Sequence, residues 1–163
     1  MGSGYSASFL IAFLLSLLLA FMMAVYPMSH AMSAVRPEFV CLVIMFWVLF
    51  CPRQVGVGIA WVVGLAQDIV EGGVWGGHAL ALSFVAYLCI NAYQRLRNYS
   101  VQQQTAWVFV FVTIHQMFVN WFQGLEYYAS PIHYVVGSSL VTALFWPMLV
   151  LMMRKLQRQY RAF

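Results

Sequence analysis

The sequence predicts an all-α integral membrane protein with six transmembrane helices and both termini in the cytoplasm. Hydrophobic residues make up 64% of its 163 positions. Charged residues make up only 7%, whereas soluble domains carry about 25%. The few charges separate long apolar segments, and the basic ones fall mostly on one side of the predicted membrane. This composition excludes a soluble enzyme, a nucleic-acid-binding domain and a disordered chain, because lipid must solvate the apolar surface.

The uncharged segments define the predicted helices in order. A bilayer core takes about 20 apolar residues at roughly 1.5 Å each. Four segments are long enough, and they give helices over 8–26, 77–94, 105–123 and 134–153. Two shorter segments give helices over 37–51 and 54–70, which reach across the bilayer if Arg36 and Arg53 extend to the interfaces. A re-entrant pair over 37–70 is the alternative.

The basic residues orient these helices. Of the eight Lys and Arg residues, Arg36 alone falls in an outer loop when the N-terminus is cytoplasmic. Residues 1–153 then form the transmembrane domain, and 154–163 form a basic amphipathic cytoplasmic tail. In this tail Arg154 and Arg158 share a helix face, and with Lys155 they are expected to contact anionic lipid. Pro147 lies within the last helix and predicts a kink.

A stripe of small residues surrounds the single acid inside an apolar segment, Asp68. Gly64, Gly72 and Gly76 lie four or eight residues from it. Such stripes let membrane helices pack closely, and the glycine-rich run over 71–77 predicts a tight outer turn. We expect the Asp68 carboxylate either to cap this turn or to pair with Arg36. Proton or ligand handling is the alternative, because intramembrane carboxylates often serve function.

The fifth helix carries a polar face formed by Thr113, Gln116, Asn120 and Gln123, which follow one another at spacings of three, four and three. Amide side chains in lipid need partners, so this face should contact the bundle or another protein. His115 lies beside the face and is expected to hydrogen-bond to a neighbour. We expect no cluster of several polar groups at one depth of the membrane.

The sequence offers no visible catalytic apparatus. It lacks G-x-S-x-G, H-E-x-x-H and a glycine-rich phosphate loop ending in Lys. Its three cysteines, Cys41, Cys51 and Cys89, have no paired spacing, which argues against a disulfide framework or a zinc site. We therefore predict no catalytic residue, no metal, no cofactor and no nucleic-acid partner.

Three blocks of the sequence resemble the bacterial rod shape-determining MreD family, and together they span essentially the whole chain. The first block is Val35-Arg36-Pro37-Glu38 at the start of the second helix. The second runs from Pro52-Arg53-Gln54 through the small-residue stripe to Gly76. The third is Phe145-Trp146-Pro147 with the basic segment that follows it. The combination is specific, whereas each block alone is weak.

The resemblance implies a non-catalytic scaffold subunit of the cell-wall elongation (Rod) complex, a multi-pass protein of the bacterial cytoplasmic (inner) membrane. It implies MreC as the direct partner. The glycosyltransferase RodA, its class B penicillin-binding transpeptidase and the actin-like MreB are implied as indirect partners, and a homodimer is left open. The resemblance also implies a six-helix fold similar to the substrate-binding subunits of energy-coupling-factor transporters.

That fold supplies the alternative function, a small-molecule-binding membrane subunit of a transporter. Its pocket would include Trp75, His78, Asp68 and Asn120. A third hypothesis is a membrane enzyme or proton channel that uses Asp68 and His115. A transporter subunit would be stabilised by its ligand, so ligand-dependent melting distinguishes it from a scaffold.

Overall fold

The computed structural model describes residues 7–26, 36–72, 75–125 and 130–160, with side chains described up to residue 155. Its six helices are α1 (Ala7–Val25), α2 (Phe39–Phe50), α3 (Val57–Glu71), α4 (Gly77–Leu96), α5 (Val101–Gly124) and α6 (Ile132–Tyr160). The described residues contain no strand. All six predicted helices occur in the predicted order. The largest difference is at α6, which continues through Pro147 and past the predicted end at 153.

The shortest helix, α2, lies at the centre of the bundle. It packs on α1, α4, α5 and α6, and all its residues from Val40 to Leu49 are buried. The Trp47 ring meets Phe9 and Phe13 of α1 edge-on, with ring centroids 5.1 and 5.7 Å apart. Its indole N–H donates to the Ser16 hydroxyl at 3.0 Å. A helix that is apolar on every side is buried, and here protein surrounds it.

The helices differ in whether they could cross a membrane unaided. Three are long and apolar enough: α1, α5 and residues 132–155 of α6. The 12 residues of α2 span about 18 Å and the 15 residues of α3 about 22 Å, short of a hydrocarbon core of about 30 Å. The structure is therefore consistent with a helical membrane protein, while the count of six spans stays a prediction.

The small-residue stripe packs α3 against α4 within the chain. A Cβ atom added at Gly64 would lie 2.4 Å from the Ala79 Cα atom. Gly72 ends α3 with a φ of 67°, and Gly76 precedes α4 with a φ of 96°. Both values lie in the left-handed region that favours glycine. Close approach at one position and a tight turn at two others thus account for the glycines.

The start of α5 lies four residues before the predicted one because a capping box precedes it. The Ser100 hydroxyl accepts from the Gln103 backbone N–H, and the Gln103 side chain accepts from the Ser100 N–H. The next residue, Gln104, is buried and donates to the carbonyls of Leu96 and Tyr99 at 3.0 and 3.2 Å. The S-x-x-Q pattern was the available signal for this helix start.

Apolar side chains cover much of the exterior, as expected for contact with lipid. Between α1, α2 and α6, apolar side chains line an open groove with a volume of about 600 Å³. The groove is lined by residues such as Leu15, Leu19, Phe145 and Met148. Among the described residues, the closest helix pair is α3 and α4, whereas this groove separates parts of α1 and α6.

Candidate functional site

Polar side chains from four parts of the chain converge where α3 ends and α2 and α4 begin. We name the following group the polar cluster: Glu38, Gln67, Asp68, Glu71, His78 and Gln116. It contains three of the four acids in the whole sequence. The expectation that no cluster of polar groups converges at one depth is therefore wrong. The reason is that Gln116 of α5 lies 78 positions from its partner Glu38, and sequence spacing carries no information at that distance.

The Asp68 carboxylate caps the beginning of α4. Its Oδ2 accepts from the backbone N–H groups of Gly76 at 2.9 Å and Ala79 at 3.3 Å. Its Oδ1 accepts from the His78 backbone N–H at 2.9 Å. Free N–H groups and the helix dipole both favour an anion at this position. This geometry corresponds to the capping role and not to a pair with Arg36, since the ion pairs of the described residues join His78 to Asp68 and Glu71.

The His78 ring lies between two carboxylates. Its Nδ1 atom is 2.9 Å from Asp68 Oδ1, and its Nε2 atom is 3.5 Å from Glu71 Oε2. The ring is almost fully buried, whereas about a quarter of the Glu71 side chain is exposed. Both ring nitrogens therefore face a carboxylate oxygen. His78 thereby links the capped turn to the carboxylate nearest solvent.

Glu38 joins four helices at one point. Its Oε1 atom accepts from Gln116 Nε2 of α5 at 3.1 Å, and its Oε2 atom from Gln67 Nε2 of α3 at 3.4 Å. Its backbone N–H donates to the Thr142 hydroxyl of α6 at 3.0 Å. The Gln67 amide also donates to Glu71 Oε1 at 2.9 Å. One amide nitrogen therefore connects two carboxylates.

The polar face predicted on α5 is used within the chain. Gln116 donates to the Ser138 hydroxyl of α6 at 3.0 Å, and this hydroxyl donates to the Arg36 carbonyl. Asn120 accepts from the Ser130 N–H at 2.6 Å and donates to the Ser130 carbonyl at 3.1 Å. These bonds fix the connection into α6. The face therefore contacts the bundle, which is one of the two options that the sequence left open.

Two fully buried side chains beside these bonds have unused polar atoms. The His115 ring centroid is 5.9 Å from that of His78, yet neither ring nitrogen has a hydrogen-bond partner. The expected hydrogen bond of His115 is therefore absent. The Oε1 atom of Gln67 also lacks a partner, although its amide nitrogen has two. Buried polar atoms without partners are rare enough to require an explanation.

The remaining predicted site residues lie away from the polar cluster. Trp146 is buried, and its indole N–H donates to Gln104 Oε1 at 3.3 Å. The Arg154 guanidinium lies 5.6 Å from the Phe50 ring centroid, a cation–π contact. Lys155 is exposed. The Arg158 side chain lies outside the described residues, and the kink at Pro147 stays a prediction.

The described residues offer little to a metal or to a pocket of the predicted kind. They contain no group of three or more His, Cys, Asp or Glu side chains arranged to hold a metal ion. Of the residues suggested for a transporter pocket, Asp68 and His78 bind each other. Trp75 is 79% exposed, and Asn120 is bonded to Ser130. The four residues thus do not share one site.

Comparison with known proteins gives a consistent result. A family model described as rod shape-determining protein MreD matches residues 5–159. The rod shape-determining protein MreD of Haemophilus influenzae is 31% identical over 140 residues, which cover 85% of this chain and 85% of the relative. No solved structure matches the chain.

Proposed function

The chain belongs to the MreD family of rod shape-determining proteins, and we propose that it is a non-catalytic membrane scaffold subunit of the bacterial Rod complex. The family match over residues 5–159 carries the proposal. Together with the three long apolar helices, it makes the chain a membrane protein with a role in rod shape determination. The scaffold function, its partners and the detailed topology are the proposed part.

The proposed topology has six spans in the inner membrane with both termini in the cytoplasm. The distribution of basic residues supports this topology, because Arg36 would be the only Lys or Arg residue of the sequence on the periplasmic side. In this topology the polar cluster lies at the periplasmic end. The short helix α2 would be tolerated because protein, rather than lipid, surrounds it. The fold would be of the six-helix kind found in substrate-binding subunits of energy-coupling-factor transporters.

The use of the polar groups supports a scaffold rather than an enzyme. Asp68 is occupied by backbone N–H groups, and Gln116 and Asn120 bind other parts of the chain. Groups held in this way organise the bundle. The exterior is mostly apolar, so contacts with the single-span partner MreC would be made by packing between helices in lipid. Association with RodA, the transpeptidase and MreB would be indirect, through other subunits of the complex. The relatives, named for rod shape determination, do not favour the transporter alternative.

The proposal is tested by purifying the tagged full-length chain from its native host in mild detergent and identifying co-purifying proteins by mass spectrometry. We expect MreC as the most enriched protein, with RodA and its transpeptidase enriched less. An unrelated tagged multi-pass protein at equal abundance serves as the control. A second copy carrying a different tag reports a homodimer. Enrichment of an ATPase pair with an energy-coupling membrane subunit, or no enrichment of MreC over the control, would overturn the proposal.

A further inference from the structure

The carboxylates of the polar cluster differ in how their charge is compensated. Asp68 receives three backbone N–H groups and the His78 ring. Glu71 faces the other nitrogen of that ring and is partly exposed to solvent. Glu38 is half-buried and receives only two neutral amide groups, and the described residues provide it with no ion pair. Burying a charge is expensive unless a cation or strong donors compensate it.

Among the neighbours of Glu38, Glu71 makes its negative charge less favourable, whereas Arg36 and His78 act in the opposite direction. Glu38 Oε2 and Glu71 Oε1 both accept from Gln67 Nε2. These two oxygen atoms therefore lie within about 6 Å of each other. The titratable and charged groups that face Glu38 are Arg36, Cys41, Glu71 and His78, while Asp68 and His115 lie beside His78. From α6 the Thr142 hydroxyl accepts from the Glu38 backbone N–H, and α1 contains no charged residue. Two carboxylates in one site rarely both ionise.

An independent observation shows where a proton on Glu38 would be directed. Gln67 is fully buried, and its Oε1 atom is an acceptor without a donor. The same amide makes a contact of 3.4 Å to Glu38 through its nitrogen, which is long for a hydrogen bond. A rotation of the amide by 180° would exchange the two atoms and present Oε1 to Glu38, and the Glu71 carboxylate, which is partly exposed, would then be solvated by water in place of the amide nitrogen. A protonated Glu38 carboxyl has the O–H donor that this oxygen lacks.

We propose that the polar cluster is a proton-binding site, in which Glu38 carries the proton and donates it in a hydrogen bond to Gln67 Oε1. The second buried group without partners, His115, lies beside His78. Loss of the proton places a charge at the point where α2 meets α3, α5 and α6. The acidity on this side of the membrane is thereby linked to the packing of four helices. The proposal does not depend on MreC binding.

The proton can be observed directly by infrared spectroscopy of the full chain in lipid nanodiscs. A protonated carboxyl has a C=O stretching band distinct from that of a carboxylate. We expect one such band at a pH at which exposed carboxyl groups are already ionised, and we expect it to disappear as the pH is raised further. The Glu38→Gln variant, which is close in size, should lack this band.

Two further variants assign the proton and its acceptor. In Glu71→Gln the neighbouring negative charge is absent, so the band should persist but disappear at a pH lower by about one unit. In Gln67→Met the carboxyl loses its acceptor, so the band should move to higher frequency. Both results can be obtained even if the Glu38 variant does not fold.

Three outcomes would overturn the proposal: no band in the unmodified chain, a band of unchanged size in folded Glu38→Gln, or loss of the band in Glu71→Gln. An unchanged frequency in Gln67→Met would overturn the assignment of the acceptor.

Discussion

Replacing Gly64 by alanine should force α3 away from α4. The added Cβ atom would lie 2.4 Å from the Ala79 Cα atom, 2.6 Å from the Ala79 nitrogen and 2.7 Å from the His78 carbonyl oxygen. Ordinary contacts begin at 3.4 Å, so the two helices must separate by about 1 Å at this point. All three atoms belong to the backbone, so no change of side-chain rotamer relieves the clash.

The loss of stability has two components. Overpacking of this kind costs about 1–3 kcal/mol. The separation also lengthens the bonds from the His78 and Ala79 N–H groups to Asp68, which are now 2.9 and 3.3 Å. Weakening a hydrogen bond to a charged group costs about 1–2 kcal/mol. Alanine returns about 0.5–1 kcal/mol through its higher helix propensity. The net effect should be a destabilisation of about 1–4.5 kcal/mol.

Thermal unfolding of the purified full chain in detergent measures this effect, and Gly58→Ala is the matched control. Gly58 lies in the same helix, and an added Cβ atom there meets nothing within 4 Å. The control should be unchanged or gain up to about 1 kcal/mol. Gly64→Ala should melt well below the unmodified chain. Equal melting of the two variants would show that the close approach of α3 and α4 is not a feature of the folded protein.

Three further substitutions test other contacts by the same melting assay. Asp68→Asn should lower the stability of the folded chain by at least about 2 kcal/mol, because a single amide oxygen cannot accept from three backbone N–H groups and the His78 ring. Unchanged stability with lost function would instead favour proton handling by Asp68. Gln104→Leu should cost about 2 kcal/mol, because it leaves the buried Trp146 indole N–H without its acceptor and removes the bonds to the Leu96 and Tyr99 carbonyls, whereas the exposed Gln102→Leu should stay within about 0.5 kcal/mol; equal effects would contradict the role of the buried amide. Gly72→Ala should cost about 1 kcal/mol through its φ of 67° alone, and a loss as large as that of Gly64→Ala would contradict the open space around it.

These predictions change how binding experiments on the glycine variants are interpreted. Loss of MreC from a Gly64 variant would follow from a displaced α4 as readily as from a lost contact surface. A binding defect therefore identifies a contact only in a variant that melts like the unmodified chain. Apolar side chains that line the groove, such as Leu19 and Met148, offer such positions because they face outward from α1 and α6.

The helices could be predicted because each apolar segment is bounded by charges, prolines or glycines. The ends of the helices differ from the predicted ends where a side-chain contact determines them. The buried Gln104 amide holds the connection between α4 and α5, which shortens the loop and lets α5 begin at Val101. At the other end, nothing in the sequence after 153 stops a helix, and basic residues in the last turns are compatible with its dipole. The helix accordingly extends to Tyr160.

Part of the polar cluster could be predicted and part could not. The capping role of Asp68 follows from local sequence, since its partners Gly76 and His78 lie within ten positions. Glu38 gave no comparable signal. As an acid at a loop edge it is expected to be solvated, and its contacts with Gln67 and Gln116 depend on how α3 and α5 pack around α2. The proximity of these groups can be recognised only when the arrangement of the helices is known.

Asp68 and Glu38 differ in the groups that hold their carboxylates. Asp68 has donors for both of its oxygens, so its burial is explained by the turn that it holds. Glu38 is held by amides that are shared with Glu71 and Ser138, beside an acceptor and an imidazole without partners. The two acids therefore differ in their donors: backbone N–H groups hold Asp68, whereas the side-chain amides of Gln67 and Gln116 hold Glu38. This difference is why the proposed proton is assigned to Glu38 and a packing role to Asp68.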